Sequence, residues 1–195
     1  MIEIQNLTKV FQEQTVLQNI NATFDAGLIH GVIGKNGAGK TVLLRLLCGL
    51  MHPSKGQVIV DGKQLGKDVD FAPDAGIIIE TPCFLPYLSG FQNLKELASI
   101  PSRRKHVGKY SLGMRQRLGI AQAIMERPRY LILDEPMNGL DTQGMEDVRE
   151  LLQKQKETGV TVILASHSME DIRLLCDTVH RIQDASLIPC TTEFS

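Results

Sequence analysis

Gly34-Lys35-Asn36-Gly37-Ala38-Gly39-Lys40-Thr41 fits the pattern G-x-x-x-x-G-K-[ST], a glycine loop that closes around phosphate oxygens. Residues 28–33, just before it, are mostly apolar and read as a buried strand. Residues 42–50, just after it, read as a helix, with Leu43, Leu46, Leu47 and Leu50 at i, i+3, i+4 and i+7. Strand, glycine loop and helix in succession is the context the motif needs. Its glycines let the backbone curl so that N–H groups point inward at an anion. The helix adds unpaired N–H groups and a partial positive charge of roughly half a unit at its N-terminus. Lys40 contributes a full, mobile charge for β- and γ-phosphates. The Thr41 hydroxyl suits Mg²⁺, which prefers hard oxygen ligands. Gly34, Lys35, Asn36, Gly37, Ala38, Gly39, Lys40 and Thr41 are therefore the candidate nucleotide-binding residues.

The chain around this loop has 195 residues, enough for one domain with a proper core. Hydrophobic residues make up 43% and charged residues 22%, as in ordinary globular proteins, and the net charge of -1 implies no basic surface for nucleic acid. Cys48, Cys83, Cys176 and Cys190 contain no C-x-x-C pair and read as buried thiols of a reducing cytosol rather than disulfide or zinc ligands. No apolar run approaches the roughly 20 residues that span a bilayer. Met1-Ile2-Glu3-Ile4 alternates like a strand and lacks the basic start and long apolar core of a signal peptide. Any role at a membrane is expected to run through a partner.

Ahead of the loop, Ile2, Ile4 and Leu7, then Val16-Leu17 and residues 20–24, read as strands, with Asp25-Ala26-Gly27 as a tight turn. Phe11 lies in this region, where an aromatic ring can serve the core or stack on a base. Gly49 is the expected C-cap of the first helix. Pro53 to Gly56 reads as a turn, residues 57–60 as a strand and Asp61-Gly62 as a hairpin signal. Residues 77–79 form a further short strand ending at Glu80. Residues 91–100 suggest a short amphipathic helix stopped by Pro101, and Ser102-Arg103-Arg104-Lys105-His106 a solvated basic loop.

Two later stretches carry chemistry. Ser111 is a natural N-cap for a helix whose Met114, Leu118, Ala121 and Met125 share one face, giving a second helix N-terminus with a hydroxyl and a glycine, Gly113, beside it. Tyr130-Leu131-Ile132-Leu133-Asp134-Glu135-Pro136 is a fully apolar strand ending in two carboxylates, as parallel strands covered on both faces do. Such strand ends lie where doubly wound folds bind ligands. Asp134 can hold Mg²⁺, and Glu135 can orient or deprotonate an attacking water. Asn138-Gly139-Leu140-Asp141 turns into a helix facing the core with Met145, Val148, Leu151 and Leu152, and Gly159 stops it. The strand over residues 160–165 ends at Ser166-His167, where an imidazole can bond a γ-phosphate or the water. A short helix (169–176) and a last strand (178–182) follow; the tail from Asp184 carries no clear signal.

These motifs, in this order, resemble the ATP-binding subunit of an ABC transporter over nearly the whole chain. Gly34 to Thr41 is similar to that family's Walker A loop, and Leu131 to Asp134 with Glu135 to its Walker B strand and catalytic glutamate. Ser111 and Gly113 match the serine and second glycine of the signature Leu-Ser-Gly-Gly-Gln, and Gln116-Arg117 the pair that follows it. Asn138 to Asp141 resembles the D-loop, His167 the switch histidine and Phe11 the aromatic that stacks on adenine. The variant Tyr110-Ser111-Leu112-Gly113-Met114, together with Glu80, looks most like the bacterial exporters of the bacitracin-resistance and lantibiotic-immunity type.

The resemblance implies an α/β P-loop NTPase fold: a mainly parallel sheet flanked by helices, an N-terminal antiparallel β subdomain and a truncated helical subdomain. It implies one ABC-type ATPase domain over residues 1–195, with its core in 1–80 and 128–190 and a shortened helical part at 81–127. It implies ATP and Mg²⁺ as cofactors, the metal held by Thr41, Asp134 and Glu80, with Lys40, Glu135 and His167 catalytic. It implies a homodimer or a paired ATPase subunit, each ATP lying between the loop of one chain and Ser111-Gly113 of the other. Integral membrane permease subunits would receive the motion and hold the cytoplasmic chain at the inner face of the membrane to drive export, and no nucleic-acid partner is expected for the chain. Three departures stand out: Glu80 in place of the usual Gln, Leu112 and Met114 in the signature, and the short span from Glu80 to Ser111. They keep two other readings open, a soluble ATPase of the same superfamily working outside transport and a nucleotide-binding regulator without hydrolysis.

Overall fold

The computed structural model describes residues 1–80, 82, 84–98 and 107–190. Alternation of buried and exposed residues builds the first layer. Strands β1 (Ile2–Phe11), β2 (Gln14–Phe24), β4 (Lys55–Val60) and β5 (Lys63–Gln64) pair antiparallel in the order β2-β1-β4-β5. Ile2 lies between Phe24 on one side and Val60 on the other. The Asp61-Gly62 turn closes β4 onto β5 with both residues at positive φ, as a two-residue hairpin requires.

The second layer is a six-stranded sheet made from β3 (Ile29–Ile33), β6 (Ala75–Ile78), β7 (Tyr130–Asp134), β8 (Thr161–Ala165), β9 (Thr178–Gln183) and β10 (Ser186–Cys190), in the order β10-β9-β3-β8-β7-β6. All its pairings are parallel except β9 with β10. The central strands β3, β7 and β8 are buried at every position, and mostly apolar, because both faces are covered. Tyr130, Ile132, Ile163 and Ala165 pack into one cluster with helix α1 (Lys40–Cys48) and the antiparallel sheet. Leu131, Leu133, Val162 and Leu164 pack on the opposite side against Ile120 of α3 (Leu112–Ile124) and Val148 and Leu152 of α4 (Thr142–Glu157). Helix α5 (Met169–Leu175) joins Ile33 and Val179 through Ile172, and α2 (Gly90–Ala98) lies between β6 and α3 in sequence. This is the α/β architecture expected, with its mainly parallel sheet between helices and an antiparallel sheet at the N-terminal end.

Several local expectations are corrected. Helix α1 stops at Cys48, with Gly49 in the left-handed region, so Leu50 leaves the apolar stripe and is 52% exposed. On α3 Leu118 is buried as expected, but the buried face runs also through Gln116, Gly119, Ile120 and Ala123, and Met114 is exposed. The apolar spacing of that helix is ambiguous because its core side also carries a glutamine and a glycine. The tail from Asp184 does form a strand: Asp184 and Ala185 turn at positive φ and set β10 antiparallel to β9. That turn has no glycine or asparagine to announce it. Cys83, Pro101 and the basic run 102–106 lie outside the described residues.

Candidate functional site

Strands β3, β7 and β8 end side by side, at Ile33, Asp134 and Ala165. The glycine loop, the Asp134-Glu135 pair and Ser166-His167 follow directly from those ends. The carboxyl edge of a parallel sheet is where such folds leave a crevice.

The loop is pinned by a bond from the Ala38 N–H to Lys35 O at 3.1 Å. Gly39 begins α1 with φ +105°, and a Cβ there would come within 2.9 Å of Val16 Cγ1, so conformation and space both select glycine. No side chain caps α1, which leaves the N–H groups of its first turn for an anion to satisfy. Lys40 is 8% exposed and donates from Nζ to Gly34 O at 2.9 Å. Thr41 donates from Oγ1 to Asp134 Oδ2 at 2.6 Å.

The Thr41-Asp134 contact joins two hard oxygens at the base of the loop. Among the described residues no group of three or more His, Cys, Asp or Glu side chains gathers to form a metal cage. That donor set fits Mg²⁺, which keeps several waters and shares phosphate oxygens instead of entering an all-protein cage. Glu80, the third expected ligand, is turned elsewhere: it sits at φ +65° past the end of β6 and accepts from Arg45 of α1 at 2.6 Å. It still lines the same cleft as the loop.

Glu135 occupies the left-handed region, φ +48°, immediately before Pro136. Its N–H continues the ladder onto Ala165 O at 2.9 Å. Its Oε2 accepts from His167 Nδ1 at 2.7 Å and faces the His167 N–H at 3.4 Å. Strained backbone at a carboxylate braced by an imidazole belongs to functional sites more than to connecting turns. Phe11, Lys40, Thr41, Glu80, Asp134 and Glu135 thus meet along one cleft of about 680 Å³. Phe11 is 40% exposed at its rim, with the Lys9 ammonium 4.9 Å from the ring centre. On the loop's other flank, Gly34, Ala38 and His167 line a second hollow of about 670 Å³ together with Arg181.

Ser111 and Gly113 are not brought to this cleft. They line a separate hollow of about 440 Å³ with Arg117 and Asp141. Ser111 is exposed and caps α3, its Oγ accepting from the Met114 N–H at 3.2 Å. A Cβ on Gly113 would stand 2.6 Å from Gly139 O, so α3 and the turn after Glu135 touch backbone to backbone there. Asp141 caps α4 by accepting from the Gly144 N–H. That bond, with the Arg117 guanidinium at 3.1 Å, holds its carboxyl below the usual carboxylate range.

Sequence reasoning missed Arg45, and it named Gln116 only as part of the pair after the signature, without its contact. Arg45 lies one helical turn beyond Thr41, on the face that reaches Glu80. Gln116 is a glutamine only 4% exposed in a helix. A polar residue at i+3 from Gly113 and i−4 from Ile120 is the signal that could have found it.

A family model described as ABC transporter matches residues 17–138. The ABC transporter ATP-binding protein YybJ of Bacillus subtilis is 44% identical over 196 residues, covering 91% of this chain and 90% of that protein. The bacitracin transport ATP-binding protein BcrA of Enterococcus faecalis is 37% identical over 209 residues, covering 96% of this chain and 68% of that protein. A solved dimeric ATP-binding cassette in a post-hydrolysis state with ADP and Pi superposes with a TM-score of 0.82 at 20% identity, covering 96% of each chain.

Proposed function

The chain belongs to the ABC transporter ATP-binding family, and from that premise we propose that two such chains close head to tail around ATP. It is an ATP-binding and ATP-hydrolysing subunit of a transporter. In the proposed assembly, Gly34 to Thr41 of one chain hold the triphosphate from one side, and Ser111 and Gly113 of the other hold it from the opposite side. Phe11 stacks on the adenine. The chain acts as one ATPase domain, its core in residues 1–80 and 128–190 and its shortened helical part at 81–127.

Lys40 neutralises charge on the β- and γ-phosphates, and α1 presents its uncapped N–H groups to the same oxygens. Thr41 and Asp134 would hold Mg²⁺, with Glu80 reaching it only after leaving Arg45. Bound there, the ion supplies charge stabilisation for the leaving phosphate oxygens. Glu135 accepts a proton from the attacking water as that oxygen bonds to the γ-phosphorus and the bond to the β–γ bridging oxygen breaks. His167 orients Glu135 through Nδ1. The observation that carries this reading is the convergence of Lys40, Thr41, Asp134 and Glu135 on one cleft at the ends of adjacent strands.

Among the described residues no helix is long and apolar enough to cross a membrane. We place the subunit at the cytoplasmic face through separate permease subunits. The direction proposed is export, supported by the Tyr110 to Met114 signature variant and the likeness to a bacitracin transport protein. The test is ATP turnover by purified wild type and Glu135→Gln. The variant should lose about 10²-fold or more in rate while still binding nucleotide, the usual worth of a general base. Wild-type turnover in Glu135→Gln would overturn the assignment.

A further inference from the structure

The pair after the signature, Gln116-Arg117, has no part in the reading above, yet both residues point from α3 at the segment that carries Glu135. Gln116 is 4% exposed and donates from Nε2 to Pro136 O at 3.1 Å. Arg117 reaches outward to Asp141 at 3.1 Å and Asp147 at 3.5 Å. The Arg117 guanidinium packs directly over Gly144 of α4, where a Cβ would stand 2.6 Å from Nη2. Between these contacts, Gly113 meets Gly139 O and the Leu112 side chain lies over Gly139. The first two turns of α3 are therefore fitted against residues 136–147 along their whole length.

We propose that Gln116 is a positioning residue for hydrolysis, the brace through which α3 holds Glu135 in its left-handed conformation. The inference rests on the reading of Glu135 as the group that activates water. Its physical basis is the turn itself. Glu135 at φ +48° is followed by Pro136, which restricts it further and has no N–H to give. The turn is tied at its start by the Glu135 N–H to Ala165 O, and internally by the Asn138 N–H to Glu135 O at 3.1 Å. The Pro136 carbonyl lies between those two ties in a buried residue, and the Gln116 amide reaches it from another element. Without that donor the peptide after Pro136 can rotate, and the turn that holds the Glu135 carboxylate loosens with it. Because α3 begins at Ser111, the same brace carries any shift of the signature turn to Glu135.

The experiment uses the full chain with Gln116→Leu and Gln116→Glu, beside Glu135→Gln. Gln116→Leu should lower kcat about tenfold or more while KM for ATP stays within about twofold, the pattern of a misplaced catalytic group. Gln116→Glu adds a readout that simple packing would not move. A buried glutamic acid has a raised pKa, and only its protonated form can donate to Pro136 O. Its kcat relative to wild type should therefore climb as pH is lowered. A flat ratio across pH would overturn the brace, as would equal losses in kcat, ATP affinity and melting temperature in Gln116→Leu. Wild-type turnover in Gln116→Leu with Glu135→Gln inactive overturns the brace alone. Wild-type turnover in Glu135→Gln overturns the reading beneath it, and the brace falls with it.

Discussion

The two helix N-termini that the proposed function sets against phosphate are built in opposite ways. The one at α1 is left open: Gly39 precedes it, no side chain caps it, and the nearly buried Lys40 lies at its first turn. The one at α3 is already satisfied: exposed Ser111 bonds its own helix through Met114 N–H, and the Arg117 guanidinium in the same hollow is committed to Asp141 and Asp147. An open N-terminus with a buried ammonium binds an anion without rearrangement. A self-capped one gains only when an anion arrives that outcompetes or shares the serine. In the proposed assembly the difference gives the two ends different tasks: the loop would fix nucleotide affinity within one chain, and Ser111 would respond to nucleotide carried by another chain.

Replacing Lys40 should produce the larger effect. Lys40→Ala removes a charge-assisted bond to phosphate, and affinity for a fluorescent ATP analogue should fall about 10- to 100-fold. Fold stability should hold, because what is lost is an ammonium 8% exposed whose bond is to the Gly34 carbonyl at the cleft. Unchanged affinity would break the comparison at its first term. Ser111→Ala should do the reverse. Loss of an N-cap costs about 1 kcal/mol of stability, readable as a shift in denaturant midpoint. Single-chain nucleotide affinity should stay at the wild-type value, while ATP-dependent pairing measured by light scattering weakens. If Ser111→Ala instead weakened nucleotide binding by the isolated chain, the two ends would share one task and the contrast would vanish.

The two ends also differ in how far they were legible. The loop and the β7 strand declare themselves because local chemistry and tertiary context agree: Tyr130 to Leu133, all buried and leading into Asp134, fit a strand covered on both sides. The pairing of Glu135 with His167, 32 residues on in sequence, was foreseeable in kind, since each follows the end of an adjacent strand. The surroundings of α3 were not. Its periodicity points to Met114 and Ala121, while the packed face is set by Gly113 against Gly139 O and Gln116 against Pro136 O. Those are backbone contacts and a buried amide, which leave no trace in a hydrophobic pattern. Glu80 was legible as a strand-end carboxylate, but its bond to Arg45 depends on where α1 stands relative to β6. The strand β10 escaped because it lies at an edge, contains Pro189 and follows a turn of Asp184 and Ala185.

The smallest effect expected separates the two ends by their footing in the fold. The strand that feeds the loop, β3, carries His30, which is 1% exposed and contacts Thr178 Oγ1 at 2.6 Å and Asp25 O at 2.8 Å. Phe24 lies edge-on to both His30 and His180, each ring centre at 5.3 Å. Burial holds both histidines below their ordinary value of 6.5; the Asp25 carbonyl and the Asp25 and Asp177 charges pull His30 partly back, and the charge of His30 lowers His180 further. The unfolded chain therefore takes up protons before the folded one does. The stability these groups contribute is fully present above 6.5 and is lost as pH falls toward and through their folded values. Residues 107–127, which hold Ser111 and the rest of α3, contain no histidine. Acid should thus weaken the scaffold under the loop first. Denaturant midpoints should fall between about pH 7.5 and about pH 5.5, by no more than about 1.4 kcal/mol per pH unit for each proton involved. His180→Gln should flatten that slope. Its Nδ1 has no hydrogen-bond partner among the described residues, so the replacement removes a titrating group without breaking a bond made by that nitrogen. A slope as steep in His180→Gln as in wild type would take the pair out of the account and leave acid sensitivity with the carboxylates, whose window lies lower.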